Sequence, residues 1–334
     1  MGEKKILERD QFTIRPYQKT DRNSVLEMWS WVFGKQLSES LWRWKYDENP
    51  YGHNIMLSVL NSGEILAFFG GFPCPANWDG KQINMLQPLD VMSHPDYRGG
   101  GFFIRTVNAF IDTYTGAKAT PLLYGFPGKQ HFDIGEKYLQ YQRINDGAVY
   151  LVAEFDNAGN TANHFAKEPA GVFAVKQVDG AFDRLWEQCR PYYPLAVKRD
   201  RRFLQWRFLQ HPQKNYEIWG YYSKQDWDLN GYAAITIEDD GRAVIVDWLS
   251  IPEKELTGLF LTELMRIFNW RGISKLVTWF PSGCEFVDMF TASGFSIQPE
   301  PIGFIPTARS FSEELPIQWV LDNIYYTMAD GDLF

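Results

Sequence analysis

An internal repeat limits what this chain can fold into more than any single motif. "LWRWKYDENPYG" (41–52) is echoed by "FLQWRFLQHPQK" (203–214), aligning Trp44 with Trp206, Lys45 with Arg207, Tyr46 with Phe208 and Pro50 with Pro212. "LDVMSHPDYRGGGFF" (89–103) is echoed by "VDWLSIPEKELTGLF" (246–260), aligning Asp90 with Asp247, Ser93 with Ser250, Pro95 with Pro252 and Gly101 with Gly258. "FPGKQHFDIGEKYLQY" (126–141) lies over "FPSGCEFVDMFTASGF" (280–295), pairing Phe126 with Phe280 and Tyr141 with Phe295. The spacing shrinks in order, from 162 residues (Trp44 to Trp206) through 157 (Asp90 to Asp247) to 154 (Phe126 to Phe280), as short loop deletions would make it. One such block is a coincidence among aromatic-rich segments; three in the same order imply two copies of one fold, each about 150 residues.

Each copy reads as mixed α/β (α+β). In the first, "FTIRPY" is a strand and "DRNSVLEMWSWVFG" has helical spacing, with Asp21 or Asn23 as its cap. "NIMLSVLNSGEILAFFGGFP" reads as two strands around an Asn-Ser-Gly turn, and "QINMLQPLDVMS" as a further strand. "FFIRTVNAFIDTYTGA" is a helix ending near Gly116, and "PLLYGFP" a buried strand. The polar, Asn/Ala/Gly-rich stretch 154–171 is the expected linker. The expected domains are 10–155, 172–310 and an extension over 311–334.

Composition excludes several classes. The formal charge of −8 argues against a protein that works by neutralising nucleic-acid phosphates. Cys74, Cys189 and Cys284 are widely spaced, so neither a disulfide framework nor a metal-ligand pair is legible, and no metal is expected. No window approaches the ~20 apolar residues of a membrane span, and "MGEKKILERDQF" has no apolar stretch of signal length. A cytoplasmic protein without nucleic-acid or membrane partners is expected. The oligomeric state is not legible.

Between a strand and a helix the chain places Arg98-Gly99-Gly100-Gly101. Glycine costs backbone entropy, so three in a row need a reason. A bare backbone at a helix N-terminus is an anion site, because N–H groups point outward and the helix dipole favours negative charge. The run matches neither G-x-G-x-x-G nor the P-loop. With His94-Pro95-Asp96-Tyr97 before it and Phe102-Phe103 after it, it resembles the R/Q-x-x-G-x-G/A loop of the GNAT acyltransferases. Arg98 and Gly101 match, while Phe103 stands where Gly or Ala is usual. "FTIRPYQKTD" resembles that family's first strand and turn, and "YLQYQRI" and "ASGFSI" its "LGF" strand entry.

The resemblance implies two tandem GNAT-like domains, each a mixed central sheet flanked by helices. It implies acetyl-CoA or another acyl-CoA as cofactor, its pyrophosphate on the backbone of Arg98, Gly99, Gly100, Gly101, Phe102 and Phe103. Val91, Met92 and Ser93 would pair with the pantetheine arm, and an N–H at Val91 or Met92 would stabilise the thioester oxyanion. The implied reaction is direct N-acyl transfer to a small-molecule amine or amino sugar. The family's acid is a tyrosine in "FYxxxGF". Glu136 occupies that slot here and Tyr138 follows two residues later, so both are candidates. Asp90 and His131 are candidate bases. Tyr124, Phe126 and His131 would line the acceptor pocket. Cys74 has no local base to make it a nucleophile. In the second copy Glu255, Leu256 and Thr257 replace Arg98, Gly99 and Gly100, so that copy is not expected to hold the cofactor; it would wall the acceptor site. Two alternatives remain at this level: an aminoacyl-tRNA-dependent transferase of the peptidoglycan-bridge type, and a non-catalytic acyl-CoA-binding protein.

Overall fold

The structure is a computed structural model that describes residues 11–155 and 171–332. The first half runs β1 (Phe12–Pro16), α1 (Arg22–Phe33), α2 (Glu39–Trp42), β2 (Asn54–Leu60), β3 (Ile65–Trp78), β4 (Lys81–Ser93), α3 (Phe102–Tyr114), β5 (Leu122–Gly125), α4 (Lys129–Leu139), β6 (Gln142–Arg143) and β7 (Ala148–Glu154). The second repeats that order as β8 (Val172–Ala174), α5 (Gly180–Cys189), β9 (Leu195–Val197), α6 (Arg201–Leu204), β10 (Tyr216–Tyr222), β11 (Leu229–Ile237), β12 (Arg242–Ser250), α7 (Lys254–Trp270), β13 (Lys275–Pro281), α8 (Glu285–Ala292), β14 (Ser296–Gln298) and β15 (Thr307–Ser310), with β9 as an added strand. The chain continues through α9 (Ile317–Asn323) and β16 (Ile324–Tyr325). The fold is thus two mixed sheets flanked by helices, as expected.

Sheet membership crosses the expected boundary at 155. The first sheet runs β1-β2-β3-β4-β5-β15-β6, and the second β14-β7-β13-β12-β11-β10-β8. Each half therefore lends its last strand to the other. Thr307–Ser310 pair antiparallel with Leu122–Gly125, while Ala148–Glu154 pair with Lys275–Pro281. Sequence alone cannot show this, because a lent strand keeps the alternation it would have at home. The expected linker at 154–171 falls largely outside the described residues.

The echoed Trp segments meet. The Trp44 and Trp206 rings stack with centroids 5.1 Å apart, and each indole N–H donates to the other residue's carbonyl, at 2.8 and 3.0 Å. Equivalent residues in reciprocal contact mark an approximate two-fold axis between the halves. Both tryptophans lie in π-helical turns, Arg43–Asp47 and Gln205–Leu209, that follow short helices. So rare a turn recurring at matched positions is a structural echo of the repeat.

Local expectations hold with adjustments. α1 begins after Asp21, but the Asp21 side chain does not cap it: it accepts from the Gln18 N–H and from Arg15. α4 ends on Gln140 at φ +56°, where the echo has Gly294 at φ +102°. The turn needs the left-handed region, and Gln140 adopts it at the cost a side chain there carries. Residues 311–332 pack against both halves. Leu315, Val320 and Tyr326 are buried, and β16 pairs with β9.

Candidate acyl-transfer site

β4 and β5 pair only at Met85–Leu122 and Leu86–Leu123. Beyond these no ladder joins them, so the strands open a gap toward Asp90–Ser93. At its mouth the backbone turns at Gly99 (φ +82°) and Gly101 (φ +78°), and α3 starts at Phe102. No side chain caps α3, so its first N–H groups lack intrahelical acceptors. Arg98 to Gly101 are exposed. A Cβ on Gly101 would meet nothing within 4 Å, so that face of the loop is open, whereas one on Gly100 would strike the Phe102 ring at 2.4 Å. Phe102 is buried against Phe12, and Phe103 is half-buried with its ring edge-on to His131. The bulky residue at the loop's last position thus packs inward between α3 and α4.

Along β4, the register with β3 shifts. Gly70 faces Leu89 and Phe68 faces Met92, and Asp90 and Val91 lie between these pairs. Asp90 sits at φ +53°, a bulge geometry that re-aims its side chain. Its carboxylate accepts from Lys45 Nζ at 2.7 and 2.9 Å and from Tyr46 Oη at 2.6 Å. Lys45 Nζ also reaches Asp332 at 3.3 Å. Burial pushes the Asp90 carboxyl up, and Lys45 and Tyr46 pull it back. Burial works against the Lys45 charge too, but Asp90 and Asp332 outweigh it and hold the ammonium above its ordinary value. Lys45 and Asp90 thus form a close, buried pair that salt screens far less than an exposed one.

The other expected residues divide. Val91 and Ser93 are half-buried and Met92 is buried, all on β4 beside the gap. Tyr124 is buried, its hydroxyl 3.6 Å from Cys74 Sγ; burial pushes that thiol up to about 12, so Cys74 is no nucleophile. Phe126 stacks on Trp279 and meets Tyr326, which places it between the halves. His131 lies between Phe103 and Tyr141, its Nε2 buried without a partner and its pKa lowered by burial. Glu136 and Tyr138 are not brought to Asp90. The buried face of α4 is Phe132, Gly135 and Leu139, and Tyr138 is 54% exposed with Lys137 over its ring. Sequence reasoning missed Lys45, Tyr46 and Asp332. The first two lay in plain view in the echoed block; Asp332, 287 residues from Lys45, carried no local signal.

The equivalent region of the second half is built differently. α7 starts at Lys254, so the residues aligned with the glycine loop, Glu255 to Gly258, are themselves helical. The backbone carbonyls of β12 accept from side chains: Tyr325 Oη donates to Trp248 O at 2.7 Å, and Tyr193 Oη to Ser250 O. Asp247 is fully buried among Tyr232, Thr327 and Arg199. Among the described residues no cluster of His, Cys, Asp or Glu has the makings of a metal site, and no helix is long and apolar enough to cross a membrane.

Residues 13–138 match the sequence model of the acetyltransferase (GNAT) domain. No curated protein matches the chain. Among solved structures, a probable N-acyltransferase of unknown function from Enterococcus faecalis V583 superposes with a TM-score of 0.69 at 15% identity, over 90% of this chain and 73% of that one. A GCN5-related N-acetyltransferase from Anabaena variabilis gives 0.66 at 15% identity, over 90% and 73%. N-myristoyltransferase from Saccharomyces cerevisiae, solved with bound myristoyl-CoA, gives 0.55 at 9% identity, over 92% and 86%. At these identities the structures speak for the fold alone, and the sequence match identifies residues 13–138, in the first half, as a GNAT acetyltransferase domain.

Proposed function

We propose that this protein is an acyl-CoA-dependent N-acyltransferase with one cofactor site per chain, in the first of two copies that exchange their last strands. The observation that supports it most is an uncapped helix opened by glycines at the end of a gap between parallel strands. The bare backbone of Arg98 to Phe103, apart from the Gly100 N–H that donates to the Tyr97 carbonyl, offers N–H donors and the positive end of the α3 dipole to a diphosphate. The unpaired edge of β4 from Val91 to Ser93 suits an extended, amide-bearing arm. When bound, acyl-CoA supplies an activated acyl group as a thioester. The bulge at Asp90 and Val91 turns backbone N–H groups out of the β3 ladder and toward a developing oxyanion. Asp90 takes the acceptor's proton, directly or through a water, and the Lys45–Tyr46 pair holds its carboxylate in place.

The test is calorimetric titration with CoA, followed by acetyl-CoA turnover over a panel of amines. One equivalent per chain is expected, because α7 fills the loop position in the second half and Tyr193 and Tyr325 take the β12 carbonyls. Two equivalents of similar affinity overturn the single-site reading. Gly101→Asp sets a carboxylate against the diphosphate and should weaken CoA by about tenfold or more. Unchanged affinity in that variant would move the site elsewhere.

A further inference from the structure

We propose that Glu64 and His94 are positioning residues that hold the glycine loop in its open shape before any ligand arrives. The proposal rests on the acyltransferase reading and names what keeps its cofactor loop formed.

The argument starts from entropy. Glycine loses more backbone freedom on ordering than any other residue, and of the run Gly99-Gly100-Gly101 two are held in the left-handed region. Such a run left to itself samples many shapes, and a ligand that must order it binds more weakly. Something outside the glycines has to fix where the loop begins and ends. Downstream, Phe102 is buried against Phe12 and meets the Tyr97 ring with centroids 6.3 Å apart. Upstream, the chain leaves β4 through His94 and one tight helical turn, Pro95–Tyr97.

A single carboxylate spans that turn. Glu64 lies between β2 and β3, with its Oε1 3.3 Å from His94 Nε2, and its Oε2 accepts from Tyr97 Oη at 3.3 Å. His94 also caps the turn: its Nδ1 accepts from the Asp96 N–H at 3.2 Å. With Nδ1 accepting, the ring proton is on Nε2, the nitrogen beside Glu64. The imidazole is buried, enclosed by Trp31 of α1 and by Tyr97, each with its ring centroid 5.1 Å away. The Tyr97 carbonyl then accepts from the Gly100 N–H at 3.2 Å. A path of contacts thus runs from Glu64 through both ends of the turn to the middle glycine. The second half supplies a comparison. In the register of the repeat Ile251 stands at the position of His94, with no acceptor to cap a turn, and there the glycine run is replaced by helix.

The experiment compares the full-length protein with His94→Ala, His94→Asn, His94→Gln and Glu64→Ala. Asn sets an oxygen where Nδ1 stands and keeps the cap, whereas Gln reaches toward Glu64 and loses the cap. Each is read for amide exchange at Gly100 without ligand, for CoA affinity by calorimetry, and for the denaturation midpoint. His94→Ala is expected to speed Gly100 exchange and weaken CoA, each about tenfold. Glu64→Ala should do the same to a smaller extent, His94→Asn should recover most of the loss, and His94→Gln should not. Three results each overturn the proposal: unchanged CoA affinity and Gly100 exchange in His94→Ala, equal behaviour of His94→Asn and His94→Gln, or CoA affinity that follows the denaturation midpoint instead of Gly100 exchange. If His94→Ala does not fold, the Asn and Gln variants and Glu64→Ala, at a half-exposed position, decide. If CoA fails to bind wild type, the acyltransferase reading falls, and Gly100 exchange across the same variants still decides whether Glu64 and His94 hold the loop.

Discussion

Asp90→Asn is expected to abolish most turnover and to destabilise the protein, and the two effects come apart in a double variant. The substitution leaves the Lys45 ammonium buried with only the more distant Asp332 as counter-charge. Breaking one partner of a buried ion pair costs about 3–5 kcal/mol, which shifts the denaturant midpoint visibly. Removing both charges, in Asp90→Asn/Lys45→Met, restores most of that stability, since a buried pair is commonly replaceable by neutral groups of similar volume. If Asp90 takes the acceptor's proton, turnover in the double variant stays down by about 10²–10⁴-fold, with CoA affinity near wild type. Recovery of turnover together with stability would make Asp90 a structural residue, as its echo Asp247 is. That echo shows the structural fate of this position. Asp247 is sealed among Tyr232, Thr327 and Arg199 in a half where helix stands in place of the glycine loop.

The second large effect concerns independence of the halves. A chain ending at residue 155 should not fold into a CoA-binding domain, although it carries the whole glycine loop. β5 would lose its neighbour β15, exposing the backbone of Leu122 to Gly125 along a buried edge. β7 would keep its sequence and lose both partners, β13 and β14. An unpaired apolar edge is an aggregation surface, so the expected outcome is insoluble or molten material without a cooperative denaturation transition. Replacing β7 by the 305–311 segment on a short linker should rescue a soluble monomer, because it returns to β5 the strand it pairs with. A cooperative, CoA-binding 1–155 fragment would show that the exchanged strand is dispensable.

Much of this architecture is legible in the residues. The repeat announced two copies because each must build the same buried sheet, and core positions carry period and volume that survive divergence. The glycine loop was legible because left-handed backbone at Gly99 and Gly101 and close packing at Gly100 demand that residue. The loss of the second loop was legible because Glu255, Leu256 and Thr257 are ordinary helix residues, and they are helical. What sequence could not supply is partnership across distance. Tyr138 stood near the expected slot, yet the face of α4 that packs is set by Phe132, Gly135 and Leu139, and Tyr138 turns outward. Lys45 and Asp90 each stood in an echoed block, but only the bulge at φ +53° and the π-turn at Arg43–Asp47 aim them at one another. The exchange of β7 and β15 and the arrival of Asp332 beside Lys45 are tertiary decisions. Alternation determines which face of a strand is buried, while its choice of sheet depends on which unpaired edge lies within reach of the folded chain.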